Sequence, residues 1–368
     1  MYKKARVIAF YLPQYHPIPE NDMFWGKGFT EWTNVTTAQP LFKGHYQPKI
    51  PKDLGFYDLR LPESREEQIK LAQEAGVYGF CYWHYWFGKN KELMERPFNE
   101  VVSSGVPDFP FCIGWANESW LNKQWNADGT LKGGKLLIEQ KYEGLEDYKA
   151  HFNKLLPAFK DKRYILIDNC PLVFIHRAIL LPTEIITIWN QMAQEHGFSG
   201  IYFVGRLTYA EYMENKFNLL LNKGFNAITI GRLGNSILKE SKIKRLTRHL
   251  IGYLKYNGCT RIASYDKEIQ YYSEDIDKRE DVFPAIYPNW DHSPRSKKTG
   301  LIINNSTPQK FYTHVKKVLS MVKNKKESHK IIFLKSWNEW GEGNYMEPDI
   351  KFGKGYIEYL RKALEEND

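Results

Sequence analysis

The stretch IIFLKSWNEWGEGNYMEP, residues 331–348, begins like a buried strand and ends in a cluster of carboxylates. Its first residues are almost continuously apolar, as in parallel strands that are covered on both faces. The run then stops at an alternation of tryptophans and glutamates: Trp337, Glu339, Trp340, Glu342 and Glu347. Core strands do not tolerate such charge, and surface glutamates need no tryptophan neighbours. The pattern indicates a strand whose carboxyl end opens into a functional loop.

Similar apolar runs recur along the chain with amphipathic stretches between them. The other strand-like runs are 6–13, 77–87, 109–116, 171–177, 201–206, 225–230 and 282–288. The main helix-like stretches are 64–76, 145–159, 182–197 and 308–325. Eight strands that alternate with helices predict an α/β fold of the (β/α)₈ TIM-barrel type. A doubly wound open sheet is the alternative, but no run leads into a GxGxxG or GxxxxGK[ST] turn.

The length of 368 residues allows either two average domains or one large barrel. The sequence contains no Pro/Ser-rich linker and no internal repeat. We therefore predict a single (β/α)₈ domain over residues 1–368. Its long βα-loop insertions would be residues 14–63, 117–144 and 231–281.

Composition gives a first expectation of where the protein acts. Its net charge of +9 favours anionic partners. The N-terminus lacks the apolar core of a signal peptide, and no apolar stretch reaches the ~18 residues that span a bilayer. The four cysteines are far apart and read as reduced thiols. We expect a cytoplasmic protein that could be peripheral at the inner membrane face.

Aromatic and polar side chains crowd the predicted strand ends, where a barrel places its chemistry. Apart from Trp189, every tryptophan lies at a strand end or in a loop after strand 1, 2, 3, 7 or 8. This distribution favours a surface that stacks on sugars, and an aromatic-rich core is the alternative. The expected substrate-binding residues are Tyr11, His16, Trp32, His84, Trp86, Trp115, Asn117, Glu118, Trp120, Arg206, Tyr287, Trp290, Asp291, Trp337, Asn338 and Trp340.

Glu339 and Glu342 form a candidate catalytic pair. In a helix-like turn, residues three apart bring their Cβ atoms within about 5–6 Å. Retaining glycosidases hold their two carboxyl groups about 5–5.5 Å apart, and so close a pair raises the pKa of one member. The alternative is a structural role, as partners of arginines or as helix caps. Glu118 is a further candidate acid, expected first to bind substrate.

Other motifs carry weaker signals. The histidines form no HExxH motif, so neither a metal nor another cofactor is expected. The Asp-x-Asp in residues 274–277 follows no apolar strand and reads as a solvated loop. The stretch 239–256 has leucines on one helical side within a basic surround. An ordinary packing helix is the first interpretation, and contact with anionic lipid or a lipid-linked carrier is the second.

Five stretches of the chain resemble WbsX-type proteins of bacterial polysaccharide gene clusters, which are grouped as relatives of glycoside hydrolase family 99. They are IAFYLPQYHPIPENDMFWGKGFTEWTNV, PLFKGHYQPKIPKDLGFYDLRLPESREEQ, GFCYWHYWF, DFPFCIGWANESW and WNEWGEGNYMEPD. The resemblance runs from about Arg6 to Asp349. It implies a (β/α)₈ barrel related to retaining endo-acting α-mannosidases and mannanases.

The resemblance also implies roles for the pair. Glu339 would act as base toward the sugar 2-hydroxyl, giving a 1,2-anhydro intermediate. Glu342 would protonate the leaving group and then activate water. The hydrolases tend to have His where this chain has Gly341, so manno-specificity does not carry over.

Three functions follow as expectations. The first is a retaining endo-glycosidase or transglycosidase that acts on a bacterial surface polysaccharide, such as O-antigen or capsule, or on its lipid-linked precursor. The second is a glycosyltransferase of polysaccharide biosynthesis, and the third is a non-catalytic glycan-binding barrel. The expected partner is an oligo- or polysaccharide, with an anionic lipid-linked carrier at the membrane surface and no nucleic acid.

Overall fold

A computed structural model describes residues 4–125 and 131–366 of the protein, with side chains given outside 122–133. The strands are β1 (Arg6–Tyr11), β2 (Gly79–Trp86), β3 (Glu92–Leu93), β4 (Phe111–Trp115), β5 (Trp120–Trp125), β6 (Leu131–Ile138), β7 (Leu166–Ile167), β8 (Cys170–Ile175), β9 (Tyr202–Thr208), β10 (Ala227–Gly231), β11 (Ile262–Ser264), β12 (Ala285–Ile286), β13 (Trp290–Asp291), β14 (Ile302–Asn304), β15 (Ile331–Leu334), β16 (Asn338–Glu339) and β17 (Asn344–Tyr345).

The helices connect these strands and build the insertions. They are α1 (Pro19–Trp25), α2 (Glu31–Thr37), α3 (Pro62–Ala75), α4 (Arg96–Ser104), α5 (Leu145–Phe159), α6 (Thr183–Glu195), α7 (Tyr209–Met213), α8 (Lys216–Lys223), α9 (Asn235–Leu238), α10 (Lys242–Lys255), α11 (Tyr265–Gln270), α12 (Ser293–Ser296), α13 (Pro308–Val322) and α14 (Gly355–Glu365). None of the helices described is both long enough and apolar enough to cross a bilayer.

Eight parallel strands form the barrel, in the order β10-β9-β8-β4-β2-β1-β15-β12. A parallel bridge between Ile228 and Val282 brings the two ends of this order together. Each of the eight predicted apolar runs overlaps one of these strands, so the predicted (β/α)₈ fold is confirmed. That residues 1–368 form a single domain stays a prediction.

The barrel interior is closed by a layer of aromatic rings. Phe10 stacks on Trp83 with centroids 4.6 Å apart, and it also contacts Phe174 at 4.7 Å and Phe333 at 5.2 Å. Successive side chains of a strand point to opposite faces, so the residue two positions later points inward as well. The aromatic layer therefore forms the floor of an opening at the carboxyl ends of the strands, which we call the mouth.

Candidate active site

The chain turns sharply after β15 and places Glu339 and Glu342 at the mouth. Strands β16 and β17 pair antiparallel, and a short 3₁₀ turn over 340–342 connects them. Gly343 ends this turn with φ of 55°, a left-handed conformation that glycine adopts without strain. The two glutamates thus lie on one tight turn, rather than on opposite faces of an extended strand.

Arg295, from helix α12, holds the two glutamates together. Its Nη1 atom lies 2.6 Å from Glu342 Oε1 and 3.5 Å from Glu339 Oε1. Its Nη2 atom lies 3.0 Å from Oε2 of the buried Glu31, which belongs to the first insertion. Burial by itself would lower the pKa of Arg295, but the three carboxylates raise it above its usual range. One guanidinium therefore neutralises charge from two distant segments.

The two glutamates differ in protonation. Burial, together with the nearby Glu342, raises the pKa of Glu339 to about 8. Burial would also raise the pKa of Glu342, but Arg295 and His292 hold it well below its usual range. His292 Nε2 lies 3.5 Å from Glu342 Oε1. These opposite shifts favour a proton on Glu339 and an ionised Glu342 at neutral pH.

Gly341 leaves space for the carboxylate that supports Arg295. A Cβ atom at this position would collide with Glu31 Oε2 and lie 3.1 Å from Arg295 Nε. No side chain fits here while Glu31 keeps its place. A buried acid thus fills the space that a side chain at position 341 would need.

Glu347 fixes the far side of the turn. It is 2% exposed and accepts hydrogen bonds from Trp340 Nε1 at 2.6 Å, Gln68 Nε2 at 2.6 Å and Tyr57 OH at 2.8 Å. Burial raises the pKa of Glu347 to about 7. Trp340 also stacks on Tyr345 with centroids 3.7 Å apart. These contacts connect the turn to helix α3 and to the first insertion.

A ring of polar side chains lies above the aromatic floor. Tyr85, His176, Arg206 and Lys335 are two residues beyond the inward Trp83, Phe174, Val204 and Phe333. Trp83 and His176 are in ring contact at 5.5 Å. Glu118 Oε2 lies 3.4 Å from His176 Nε2 and is 38% exposed, so it faces the same opening. Burial and the nearby Glu339 raise the pKa of Tyr85.

Several predicted substrate-binding residues point away from the mouth, so the structure does not bring them together with the glutamate pair. Tyr11 bonds Gln68 of α3 at 2.6 Å, while His84 lies 2.7 Å from the His151 ring of α5. Trp86 stacks on His151 at 4.5 Å, and Trp115 packs against Trp189 of α6. The cause is strand alternation, which in β2 sends the even-numbered residues outward and Trp83 and Tyr85 inward.

Other predicted binding residues are buried in the walls of the barrel, and their binding role stays a prediction. Their exposures are 0–9%, and their polar atoms bond protein groups or have no partner among residues 4–125 and 131–366. They are His16, Trp32, Asn117, Tyr287, Asp291, Trp337, Asn338 and Trp340. Asp291, for example, accepts hydrogen bonds from Gln47 at 2.7 Å and lies 2.8 Å from His45.

Six predicted residues remain at or beside the mouth, and sequence reasoning missed others. Glu118, Arg206, Glu339 and Glu342 face it, and Trp290 lies beneath the Lys335 ammonium at 4.6 Å. Trp120 packs on Trp25 and Tyr85 at its edge.

The missed residues are Glu31, Trp83, Tyr85, His176, His292, Arg295 and Lys335. Alternation along the strands could have found Trp83, Tyr85 and His176, whereas no local signal marks Glu31 or Arg295. In residues 4–125 and 131–366, no three His, Cys, Asp or Glu side chains are grouped to hold a metal.

Comparison with known proteins identifies relatives of the whole chain. The model of the family described as "Glycosyltransferase WbsX" matches residues 7–360. Two proteins named "Uncharacterized protein WxcX", from two strains of Xanthomonas campestris pv. campestris, are 33% and 34% identical over 98% of this chain. The alignments cover 50% of each relative, so the chain spans about half the length of the curated relatives it matches.

Solved structures share the fold at low sequence identity. A "Glycoside hydrolase-like protein" superposes with a TM-score of 0.62 over 100% of this chain and 95% of its own, at 14% identity. The GH99 endo-alpha-mannosidase from Bacteroides thetaiotaomicron, in complex with bis-tris-propane, gives 0.55 over 98% and 96%, also at 14% identity. This likeness supports the barrel architecture.

Replacing Glu339 by Gln should reduce the pH dependence of stability between about pH 4.5 and 8. Folding raises the pKa of Glu339, so the folded protein binds this proton more tightly, and stability falls as pH rises through that window. Gln cannot ionise, so the variant should gain melting temperature relative to wild type at pH 9 but not at pH 4. The measurement is thermal unfolding of both proteins across this range.

Glu342→Gln is the matched control, and its effect on the pH dependence of stability should have the opposite sign. Folding lowers the pKa of Glu342, so its ionised form stabilises the protein above the unfolded pKa, and this advantage is lost as pH falls. The melting temperature of wild type should exceed that of this variant at pH 7, and the two melting temperatures should converge in acid. Equal pH profiles for the two variants would contradict the proton assignment.

Gly341→Ala should destabilise the protein through Glu31 alone. The new methyl group displaces the carboxylate from Arg295, which we expect to cost about 1–3 kcal/mol of unfolding free energy. In a Glu31→Ala background the same change should cost less than about 0.5 kcal/mol, because the colliding group is gone. A double-mutant cycle measured by urea unfolding tests this. Equal costs in both backgrounds would refute the steric argument.

Proposed function

The chain belongs to the family described as glycosyltransferase WbsX, and from that premise we propose a carbohydrate-active enzyme that cleaves or transfers glycosidic bonds. Its substrate would be a bacterial surface polysaccharide, such as O-antigen or capsule, or the lipid-linked precursor of one. Glu339 and Glu342 would be its catalytic residues. Hydrolysis, with net retention at the anomeric carbon, is the preferred reaction.

One observation carries this proposal: two glutamates of opposite protonation share Arg295 at the mouth. Their Oε1 atoms both lie close to a single nitrogen, so these oxygens are at most about 6 Å apart. That limit fits the short carboxyl separation of retaining enzymes better than the about 6.5–9.5 Å of inverting ones. A protonated and an ionised carboxyl side by side are the groups that acid–base cleavage of a glycosidic bond requires.

The family resemblance implies that Glu339 acts as base and Glu342 as acid, whereas the unliganded site holds its proton on Glu339. We propose that the pair exchanges this proton when substrate binds. Arg295 offers the means, because it already contacts both carboxylates through the same nitrogen. A small displacement of the guanidinium toward Glu339 would favour ionisation there and protonation of Glu342.

Glu339→Gln and Glu342→Gln should each lower kcat/KM by about 10²–10⁴-fold, because each variant removes a group that transfers a proton. The assay is release of new reducing ends from the surface polysaccharide of the organism that encodes the chain. Proton NMR of the fresh product reports the anomer. Glu118→Gln is the control, and it should change KM more than kcat.

The outcomes separate the three functions. Full activity in both variants would contradict the proposal. Transfer from a sugar nucleotide, unaffected by either variant, would favour the glycosyltransferase that the family description suggests. Glycan binding without turnover on any such substrate would favour a non-catalytic barrel.

We further propose that helix α10 brings the enzyme to an anionic membrane. Ile243, Leu246, Leu250 and Leu254 are 78%, 74%, 58% and 80% exposed, so no described part of the chain covers this face. This exposure contradicts the first interpretation of the stretch 239–256, which was an ordinary packing helix. Gly252 is the one residue of α10 that is buried, and a Cβ there would meet Thr260 and Cys259.

Charge indicates the partner of this face. Lys242, Lys244, Arg245, Arg248 and Lys255 surround it, and residues 241–256 contain no acid. A basic amphipathic helix of this kind lies in the headgroup layer of anionic bilayers. The helix belongs to the insertion between β10 and β12, on the mouth side of the barrel. Membrane contact would therefore hold the mouth near a lipid-linked glycan at the cytoplasmic face.

The double variant Leu246→Glu/Leu250→Glu should abolish vesicle binding, since it places acids in the apolar face. Wild type should co-sediment with vesicles of phosphatidylcholine and phosphatidylglycerol, and at least tenfold less with phosphatidylcholine alone. Leu219→Glu, at a 49% exposed leucine of α8, should leave binding unchanged.

Wild type that stays in the supernatant with anionic vesicles would contradict membrane contact. So would a lipid-free dimer that the double variant dissociates, because a second copy would then cover the face.

A further inference from the structure

Two cationic side chains stand in the mouth, and neither has an acidic partner in the part of the chain that the structure describes. Gly205 of β9 faces outward, where a Cβ would meet Ala178 and Phe225, so the adjacent Arg206 points inward. Lys335 follows the inward Phe333 by two residues. Within residues 4–125 and 131–366, neither charged group forms an ion pair or a hydrogen bond; Lys335 lies over the ring of Trp290.

The two cations come from strands that are not adjacent in the barrel. In the strand order, β8, β4, β2 and β1 lie between β9 and β15 on one side, and β10 and β12 on the other. Burial lowers the pKa of each. Glu342 and Glu339 oppose this shift in Lys335, and Arg206 adds to it. A ligand between them would lie beside the glutamate pair, because Lys335 is four residues before Glu339.

The nearby acids are engaged elsewhere. Glu118 pairs with His176 at 3.4 Å, and Glu211 accepts hydrogen bonds from Thr208 at the start of α7. Glu342 pairs with Arg295. Glu339 also lies closest to Arg295 among the cations it contacts. No carboxylate of residues 4–125 and 131–366 therefore forms an ion pair with Arg206 or Lys335.

Unpaired cations in a partly desolvated site are costly, and such groups are enriched where a ligand completes the pairing. A guanidinium can bind a carboxylate or phosphate through two parallel hydrogen bonds, and an ammonium adds a point charge. A neutral glycan would leave both charges unsatisfied. The arrangement suits an oxyanion carried by the substrate.

We propose that Arg206 and Lys335 bind an anionic group of the glycan substrate, a carboxylate or a phosphate, directly beside Glu339 and Glu342. This proposal rests on the proposed function and adds the class of substrate: an acidic saccharide rather than a neutral one. The oxyanion could be the carboxylate of an acidic sugar or the phosphate of a carrier-linked sugar, and both present the same oxygens to the two cations.

Thermal unfolding with small probes tests the site without knowledge of the full substrate. The probes are glucuronate, inorganic phosphate and pyrophosphate at equal ionic strength, with glucose as the uncharged control. At least one anion should raise the melting temperature of wild type, and glucose should not. Arg206→Met and Lys335→Met should each lower the affinity for that anion at least tenfold. Lys162→Met, at an exposed lysine, should bind the anion as wild type does.

A second readout separates a ligand site from a structural role. Without any anion, Lys335→Met should raise the melting temperature by about 2 °C or more, because it removes an unpaired charge. A structural lysine would give the opposite sign. Preference for glucuronate would indicate an acidic sugar, and preference for pyrophosphate a phosphate-linked one.

The proposal is overturned if no anion stabilises wild type, or if both methionine variants bind the anions as wild type does. Glu342→Gln distinguishes this failure from failure of the proposed function. It should bind the anions within threefold of wild type yet lack activity. An active Glu342→Gln would refute the catalytic pair and leave the anion site standing.

Discussion

The ion pairs of Arg295 are the constraint on which the mouth depends. Two carboxylates on one tight turn repel each other, and burial makes that repulsion stronger. Arg295 offsets it by contacting Glu339, Glu342 and the buried Glu31 at once. Since Glu31 lies near the N-terminus and the pair near the C-terminus, the site forms only when both ends of the chain are folded together.

The same constraint divides the two glutamates. Glu342 lies nearer the guanidinium, with His292 beside it, and stays ionised, so Glu339 keeps the proton. When two carboxyls share one proton, a small movement of a single cation is enough to change which carboxyl holds it. Elsewhere in the mouth, Arg206 and Lys335 form no ion pair with any described residue. The charges around Arg295 are thus paired within the protein, whereas Arg206 and Lys335 would be paired by a bound anion.

The sequence predicted the architecture well and the lining of the mouth poorly. Each barrel strand overlaps a predicted apolar run, because burial on both faces leaves a continuous apolar sequence. Within β2, however, every residue from Trp83 to Trp86 is aromatic, and His84 and Trp86 proved to face the helices. Arg295 and Glu31 escaped notice because tertiary contact alone, and no local pattern, brings them to the glutamates.

The close approach of Gly341 to Glu31 also limits what protein engineering can do with this turn. Transplanting the segment WNEWGEG into another barrel would carry both glutamates but neither Arg295 nor Glu31. In the new host the pair would lack its cation, and the glycine would leave a void where the buried carboxylate belongs. The smallest portable unit is therefore discontinuous: the turn, helix α12 and the start of helix α2 have to be moved as one set.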